Sequence, residues 1–174
     1  MTEFWDIYDE NRQKTGRLQQ RGLPMAAEDY HLVVMVWLFD SSGRVLLTRR
    51  HSQKPWGGYW ECTGGAVIAG EDTYAGALRE AAEEIGVDLR QGPPGELVKS
   101  YRRKADAPGK YSGFCDVYRF VRDIPLSELT LQAEEVTAAK WVTQSEYEAM
   151  CANGEVVPSL DNAFALGDVC PDKK

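Results

Sequence analysis

Residues 65 to 87 read GAVIAGEDTYAGALREAAEEIGV, and this stretch decides the interpretation of the chain. Its periodicity predicts a helix from about Asp72 to Ile85, and Gly86 predicts the end of that helix. The stretch carries four glutamates, Glu71, Glu80, Glu83 and Glu84. Its only basic residue is Arg79. We therefore expect a helix with more negative charge than its own residues can neutralise.

The acidic side of this helix has two interpretations. The glutamates at 80, 83 and 84 lie opposite an apolar stripe on a helical wheel, and a solvated amphipathic helix is the commonest cause of such a pattern. The stripe consists of Tyr74, Leu78, Ala81 and Ile85. A cation site is favoured because Glu84 follows Glu80, and Asp88 follows Glu84, at a spacing where like charges repel. Gly76 costs about 1 kcal/mol relative to alanine inside a helix, which indicates the close approach of another backbone segment. Converging carboxylate oxygens suit Mg²⁺ or Mn²⁺.

The fixed residues of this stretch form a known pattern. Gly65, Glu71 and the run from Arg79 to Val87 resemble the Nudix box, GX5EX7REUXEEXGU, at every fixed position. Ala81 departs from the pattern because the family usually has a bulkier aliphatic residue there, which affects packing and leaves the chemistry untouched. The resemblance implies a Nudix fold. It also implies hydrolysis of a diphosphate linked to another moiety, with divalent cations held by the glutamates.

The resemblance further implies roles for individual residues. Glu80 and Glu84 are the expected direct metal ligands, with Glu83 as a further ligand or as the base that orients water. The Gly65 carbonyl is a candidate extra ligand, and Glu71 is expected to serve structure or a second metal. Catalytic roles are expected for Glu83, Glu80, Arg79 and Glu135.

Metal-assisted hydrolysis explains chemically why carboxylates gather here. Attack on a phosphorus that carries negative oxygens requires this charge to be neutralised and a water to be activated, and divalent cations do both. Arg79 is expected to orient the glutamates. The Glu134-Glu135 pair resembles the acidic loop that often supplies a base or another ligand in the family, and a solvated pair is the alternative. The expected cofactor is Mg²⁺ or Mn²⁺.

Basic and aromatic residues near the expected site are candidates for substrate binding. Arg49, Arg50 and Lys54 suit phosphate oxygens, since a guanidinium group forms paired hydrogen bonds with them. Solvated charges at a strand end are the alternative for all three. Large aromatic side chains are candidates for stacking on a base or contacting an isoprenoid tail, with core packing as the alternative. These are Trp56, Tyr59 and Trp60.

A second resemblance covers residues 31 to 71 and the opening WDIYDENRQKTGR. These segments resemble the isopentenyl diphosphate isomerase branch of the Nudix superfamily, through the runs WLF, LLTRR, KPWGGYW and ECTGG. The resemblance makes His31 a further substrate-binding candidate, with a packed core histidine as the alternative. That isomerase uses a cysteine in a motif with a following His-Pro, whereas Cys62 is followed by Thr63 and Gly64. The complete glutamate set favours hydrolysis. An isomerase stays open as the alternative, and a non-catalytic nucleotide-binding Nudix module as the second.

Composition and charge limit the class of protein. With 174 residues, 43% of them apolar, we expect one domain over residues 1–174. The net charge of -7 argues against long nucleic acid as a partner, and no apolar run approaches the roughly 18 residues of a membrane span. The four cysteines form no CxxC pair and follow no secretory signal, which predicts reduced thiols and a cytoplasmic protein. The expected partner is a small-molecule diphosphate, and homodimer formation stays open.

The periodicity outside the helix predicts a mixed sheet with helices on both faces, an α+β fold of the α/β/α sandwich type. The expected strands are 31–39, 44–50, 60–67, 97–104, 111–121 and 135–142. Hairpins are expected around Asp40 to Gly43 and around Pro108-Gly109. A capping box from Thr143 to Glu146 predicts a second helix to about Ala152. A last helix is expected over 158–166.

Overall fold

The computed structural model describes residues 2–105, 110–160 and 162–167. The strands are β1 (Phe4–Tyr8), β2 (Lys14–Gln20), β3 (His31–Phe39), β4 (Val45–Arg50), β5 (Trp60–Glu61), β6 (Thr63–Ala66), β7 (Glu96–Arg103), β8 (Gly113–Val121) and β9 (Val136–Val142). The α-helices are α1 (Thr73–Ile85) and α2 (Gln144–Ala152), and 3-10 turns cover Leu126–Glu128 and Ala165–Gly167. Within these ranges no helix has the length and apolar character needed to cross a membrane.

A seven-stranded mixed sheet is organised around β3. Strand β8 runs parallel to β3 along its whole length, and β7 pairs antiparallel with β8. On its other edge β3 pairs first with β6 and then meets β4 at the bridge between Phe39 and Val45. Strand β4 diverges from there to pair with β5 and β9. The segment of β5 and β6 therefore crosses from β4 to β3 within a few residues.

The two faces of β3 belong to two different hydrophobic clusters, as the alternation of side chains along a strand requires. Val34 and Val36 pack in the cluster that contains Ala77 and Ala81 of α1. Trp37 packs in the other cluster, which contains the α2 residues Tyr147 and Met150. Each face of the sheet is thus covered by one helix, which confirms the α/β/α sandwich.

Helix α1 begins and ends where the sequence predicts. The side chain of Asp72 accepts a hydrogen bond from the Ala75 N–H at 2.8 Å and caps the N-terminus. Gly86 ends the helix in the left-handed region with φ of 72°. A Cβ at Gly86 would lie 2.8 Å from the Cβ of Thr130, so the loop that precedes β9 packs directly on this position. The capping box at the start of α2 is also confirmed, with Thr143 as the N-cap.

An N-terminal hairpin of β1 and β2 is an element that the sequence analysis did not predict. Trp5 and Ile7 of β1 are buried, whereas their neighbours in the strand are more exposed. The hairpin is tied to the loop before α1. The Ala69 N–H donates to the Phe4 carbonyl at 2.8 Å, and the Gly70 N–H donates to Asp6 Oδ2 at 2.7 Å. The start of the chain therefore braces the glutamate-bearing segment.

Three expected elements differ in the structure. The strand expected over 60–67 is divided into β5 and β6 at Cys62, because the two halves pair with different strands. The hairpin of β3 and β4 closes in one bridge and then opens, since β3 exchanges β4 for β6. The last helix expected over 158–166 is wrong, because the described residues there form turns and one 3-10 turn. The Pro108-Gly109 turn and Cys170 lie outside the described residues.

Candidate active site

Glu84, in the last turn of α1, is the most deeply buried of the four glutamates, with 8% of its surface exposed. Its Oε2 accepts a hydrogen bond from the Gly64 N–H at 3.2 Å, which joins the helix to β6. Burial, together with the charges of Glu80 and Glu61, raises the pKa of Glu84 to about 8. The ion pairs of the described residues include none for Glu84. Its charged form is therefore the least stabilised of the group.

Glu80 lies one turn earlier and contacts the backbone of β6. A Cβ built on Gly65 would lie 2.5 Å from Glu80 Oε1, so only glycine leaves room for this carboxylate. Burial raises the pKa of Glu80, and the charge of Arg79 opposes this effect. Gly76 is also a point of close approach, but to a side chain and not to the backbone segment that was expected, because a Cβ there would lie 3.1 Å from Val67 Cγ2.

Arg79 holds the other carboxylates together. Its Nη1 donates to Glu80 Oε1 and to Glu83 Oε2, both at 2.9 Å, and its Nε donates to Glu71 Oε1 at 3.1 Å. Its Nη2 donates to the Ala66 carbonyl at 3.0 Å. Burial disfavours the charge of Arg79, but the bonds to Glu71 and Glu83 and the charge of Glu80 raise its pKa above the ordinary value. Arg79 thus orients the glutamates around the end of β6.

The acidic side of α1 is more buried than a solvated face. The Glu83 side chain is 52% exposed, but that of Glu80 is only 13% exposed. The expected apolar stripe is also shifted, because Ala77, Ala81 and Ile85 are buried whereas Tyr74 and Leu78 are only partly buried. The helix presents its small residues to the sheet, which brings Glu80 and Glu84 toward β6.

The donor set fits a divalent cation, although its members are not gathered around one. In the described ranges, no group of three or more His, Cys, Asp or Glu side chains is arranged so that it could hold a metal ion. Arg79 instead occupies the space among three of the carboxylates. Glu80, which lies against the Gly65 backbone, and the buried Glu84, which has no ion-pair partner among the described residues, nevertheless form a group of carboxylate oxygens beside β6. A hard cation would stabilise the charged forms of these groups.

Glu61 is a site residue that the sequence analysis missed. Strand pairing places Glu61 opposite Thr48, and Arg50 lies two residues further along β4 on the same face. Arg50 Nη1 donates to Glu61 Oε1, and Arg50 Nε donates to the Pro55 carbonyl at 2.7 Å. Burial raises the pKa of Glu61, and the charge of Arg50 opposes this effect. Because β5 contains two residues, its alternation gave too little signal to reveal this side chain.

Glu135 reaches the site through a loop attached to the end of α1. The Gln132 N–H donates to the Glu84 carbonyl at 3.0 Å, and the Glu135 N–H donates to the Gln132 carbonyl at 2.9 Å. The Glu135 carbonyl accepts from the His51 N–H at 2.9 Å, and its carboxylate forms an ion pair with Lys54. Burial, followed by the charge of Arg50, lowers the pKa of Lys54. Glu135 and Lys54 are thus brought together beside Arg50.

Arg49 is separated from Arg50, because consecutive strand residues point to opposite faces. Its Nε donates to the Gly58 carbonyl at 2.9 Å, and it lines a cavity of about 360 Å³ together with Tyr59 and Trp60. Trp56 is 47% exposed and contacts the Tyr59 ring edge-on at a centroid distance of 5.4 Å. The expected phosphate-binding residues therefore divide between the carboxylate group and this cavity.

His31 is packed among aromatic rings. It is 4% exposed and stacks on Trp5 at a centroid distance of 4.3 Å, with Tyr111 edge-on at 6.0 Å. Neither ring nitrogen has a hydrogen-bond partner within the described part of the protein. Burial, followed by the charge of Arg103, lowers the pKa of His31 to about 4, so the ring is neutral at pH 7. Its assignment to substrate binding stays a prediction.

The fold and the glutamate helix define a class of protein, an α/β/α sandwich with a Nudix-type acidic site. A family model described as the NUDIX domain matches residues 29–161. The chain therefore belongs to the NUDIX family. An uncharacterized Nudix hydrolase of Listeria monocytogenes is 36% identical over 159 residues, which cover 90% of this chain and 89% of that protein. The chain is thus a Nudix hydrolase, and this class supports a general pyrophosphohydrolase role.

Two further comparisons bear on the fold and on the isomerase resemblance. An isopentenyl-diphosphate Delta-isomerase of Escherichia coli is 29% identical over 131 residues, or 73% of this chain and 69% of that protein. A crystal structure from Deinococcus radiodurans, DR0079, superposes with a TM-score of 0.72 at 24% identity, covering 95% of this chain and 98% of that chain. The structural likeness confirms the Nudix fold. The isomerase likeness confirms that the chain is similar to isomerases as well as to hydrolases.

Proposed function

We propose that this Nudix hydrolase cleaves the diphosphate linkage of a nucleoside diphosphate derivative or another organic diphosphate by attack of water at phosphorus, with Mg²⁺ or Mn²⁺ as cofactor. The observation that carries the proposal is the burial of Glu84 beside Glu80 and Glu61. Neighbouring carboxylates in a poorly solvated position repel one another and favour protonation. A positively charged ligand would therefore stabilise the ionised form of this group of carboxylates.

The oxygen atoms that would hold the cation come from both sides of the α1–β6 contact. Glu80 and Glu84 are the proposed direct ligands, with Glu83 or the Gly65 carbonyl as further ligands. A bound Mg²⁺ or Mn²⁺ would neutralise phosphate charge and lower the pKa of a bound water. Glu71 is bonded to Arg79 at 3.1 Å, which supports a structural role for Glu71 and an orienting role for Arg79.

The phosphates of the substrate are assigned to Arg50 and Lys54. Both side chains are partly buried beside the carboxylates, where an ion pair or a charge-assisted hydrogen bond is stronger than in water. Arg49 lies over the adjoining cavity of about 360 Å³, which has room for part of the group attached to the diphosphate. Glu83 and Glu135 are the candidates for the base that takes the proton of the attacking water.

An isomerase function is the second candidate, and similarity to the isomerase of Escherichia coli favours it. The environment of Cys62 weighs against it. Cys62 is buried, and burial raises the pKa of its thiol well above the ordinary value. A thiol in this state is a poor proton donor or acceptor at neutral pH. Hydrolysis therefore remains the function that the site supports best.

A substrate screen tests the proposal. The protein is incubated with nucleoside diphosphate derivatives and isoprenoid diphosphates, with Mg²⁺, with Mn²⁺ or with EDTA, and released phosphate, pyrophosphate and phosphomonoesters are measured. We expect hydrolysis of at least one member of the panel with metal, and none in EDTA. Hydrolysis that persists in EDTA would contradict the role of the glutamates.

A further inference from the structure

The two basic side chains assigned to the substrate phosphates each form an ion pair with a carboxylate of the protein. Arg50 is paired with Glu61, and Lys54 is paired with Glu135. Both pairs are partly buried, since the side chains of Arg50 and Glu61 are 19% and 20% exposed and those of Lys54 and Glu135 are 27% and 28% exposed. Surface pairs elsewhere in the chain, such as Arg21 with Glu3 at 53% and 43%, are far more open. A diphosphate that enters the site would therefore have to replace carboxylates that are already paired with Arg50 and Lys54.

These charged groups face one region. The charges of Arg50 and Lys54 both act on the Glu61 carboxylate, and the charges of Glu84 and Glu61 both act on Lys54. The carboxylate of Glu61 also acts on that of Glu84. A divalent cation in this region would compete with Arg50 and Lys54 for the carboxylates. A phosphate would compete with the carboxylates for Arg50 and Lys54.

The position of Arg50 does not depend on Glu61 alone. The bond from Arg50 Nε to the Pro55 carbonyl, at 2.7 Å, holds the guanidinium group from its other side. The loop that supplies this carbonyl is itself closed by a bond from the Gly57 N–H to the Lys54 carbonyl at 2.9 Å. Removing the charge of Glu61 would therefore leave Arg50 in place with an unsatisfied positive charge.

We propose that Glu61 is a positioning residue that occupies Arg50 in the unliganded protein and releases it when metal and diphosphate bind together. Glu61 would then have the bound cation as its counter-charge, and Arg50 would have the phosphate as its partner. Glu135 and Lys54 exchange partners in the same way. The consequence is positive coupling between metal and diphosphate binding, and such coupling is reciprocal. This inference rests on the proposed function for the class of ligand.

Isothermal titration calorimetry with methylenediphosphonate, a non-hydrolysable diphosphate, tests the inference without turnover. For the wild-type chain we expect weak binding in EDTA and binding at least about fivefold tighter in saturating Mg²⁺, the lower end of typical coupling between sites. Glu61→Gln should bind the diphosphonate more tightly than wild type in EDTA, because Arg50 is no longer occupied. The enhancement by Mg²⁺ should shrink in the same variant.

Glu96→Gln is the matched control, since it removes the same charge from an exposed position 3.6 Å from Arg119. Its affinity in EDTA should equal that of wild type, which excludes an effect of net charge. Glu135→Gln frees Lys54 in the same way, and its affinity for the diphosphonate in EDTA replaces that of Glu61→Gln if the latter variant does not fold. Unchanged or weaker binding in EDTA by a folded variant would overturn the inference alone. Absence of diphosphonate binding by the wild type with Mg²⁺ would instead contradict the proposed function.

Discussion

The backbone of Gly65 lies against the carboxylate of Glu80 so closely that a Cβ at Gly65 would be 2.5 Å from Glu80 Oε1. The two residues belong to β6 and α1, which pack against each other. The glycine thus determines where the carboxylate can lie. Moving Glu80 by even part of this distance would change the position of the proposed cation ligand.

Gly65→Ala should therefore reduce activity much more than stability. The atoms that the new methyl group meets are the end of a flexible side chain, which can rotate away at small cost. We expect at least about a 100-fold loss of turnover, comparable to removal of a group that stabilises the transition state, and a weaker apparent affinity for Mg²⁺. Steady-state kinetics at varied Mg²⁺ and thermal melts in EDTA measure the two effects.

A double-mutant cycle with Glu80→Gln provides the control for this prediction. If the alanine acts by displacing Glu80, the two changes together should cost little more than either one alone. Additive losses would show that Gly65 acts through another group.

Three of the glutamates, Glu71, Glu80 and Glu84, should differ in importance according to their surroundings. Glu80→Gln and Glu84→Gln should each lower turnover about 100-fold or more, because each removes a charge needed to hold the cation. Glu71→Gln should cost less, since Glu71 acts through Arg79. In EDTA, Glu84→Gln should stabilise the fold more than Glu80→Gln does, because Glu80 is paired with Arg79 and loses that pair. Kinetics and urea unfolding of the same preparations test both rankings.

Glu148→Gln is a suitable reference for these variants. It removes one charge from an exposed position of α2, where the Gln144 side chain donates to Glu148 Oε1 at 2.8 Å. Turnover of this variant should be unchanged. Native turnover in both Glu80→Gln and Glu84→Gln would refute the assignment of the acidic helix to catalysis.

The sequence predicted the parts of the molecule whose signals are local. The limits of α1 follow from Asp72 and Gly86, and the central strand follows from the unbroken apolar run of residues 31–39. The role of Arg79 could also be anticipated, because Glu83 lies four residues further along the same helix. These features depend on residues that are close together in the sequence, so the periodicity of the chain is enough to predict them.

The parts that escaped prediction depend on contacts between distant segments. Glu61 joins the site because β5 pairs with β4, and a two-residue strand carries almost no periodic signal. The separation of Arg49 from Arg50 follows from strand alternation, but the face that each would occupy required the partner strands. The burial of Glu84 was likewise hidden, because a helical wheel shows an acidic side without showing that β6 covers it.

The pH dependence of stability should reveal the buried carboxylate in metal-free buffer. The pKa of Glu84 is about 8 in the folded protein and near the ordinary value of 4.5 when the chain is unfolded. Between these values the folded state binds the additional proton, so the free energy of unfolding should fall as the pH rises from about 4.5 to 8. Glu84→Gln should flatten this slope, as measured by urea unfolding in EDTA at several pH values.

Two comparisons separate Glu84 from the other titrating groups. Glu96→Gln, at an exposed position, should retain the wild-type slope. Addition of Mg²⁺ should stabilise the wild type more at pH 8 than at pH 6, because protons and the cation compete for the same oxygens. A slope that is identical in wild type and Glu84→Gln would show that the carboxylate is not protonated in the folded state.

Cys62 provides the test that distinguishes hydrolysis from isomerisation. The residue is buried where β5 gives way to β6, in the cluster that contains Trp37 and Val117, and its thiol has a raised pKa. Metal-assisted attack of water needs no thiol, so Cys62→Ser should retain hydrolysis within about twofold, at a moderate cost in stability for burying a hydroxyl group.

Cys62→Ala, which buries no polar atom, separates the packing effect from the chemical one. Both variants are assayed for hydrolysis and for conversion of isopentenyl to dimethylallyl diphosphate. Isomerase activity in the wild type that disappears in both variants would assign the site to isomerisation, because no packing change would remove one reaction and leave the other.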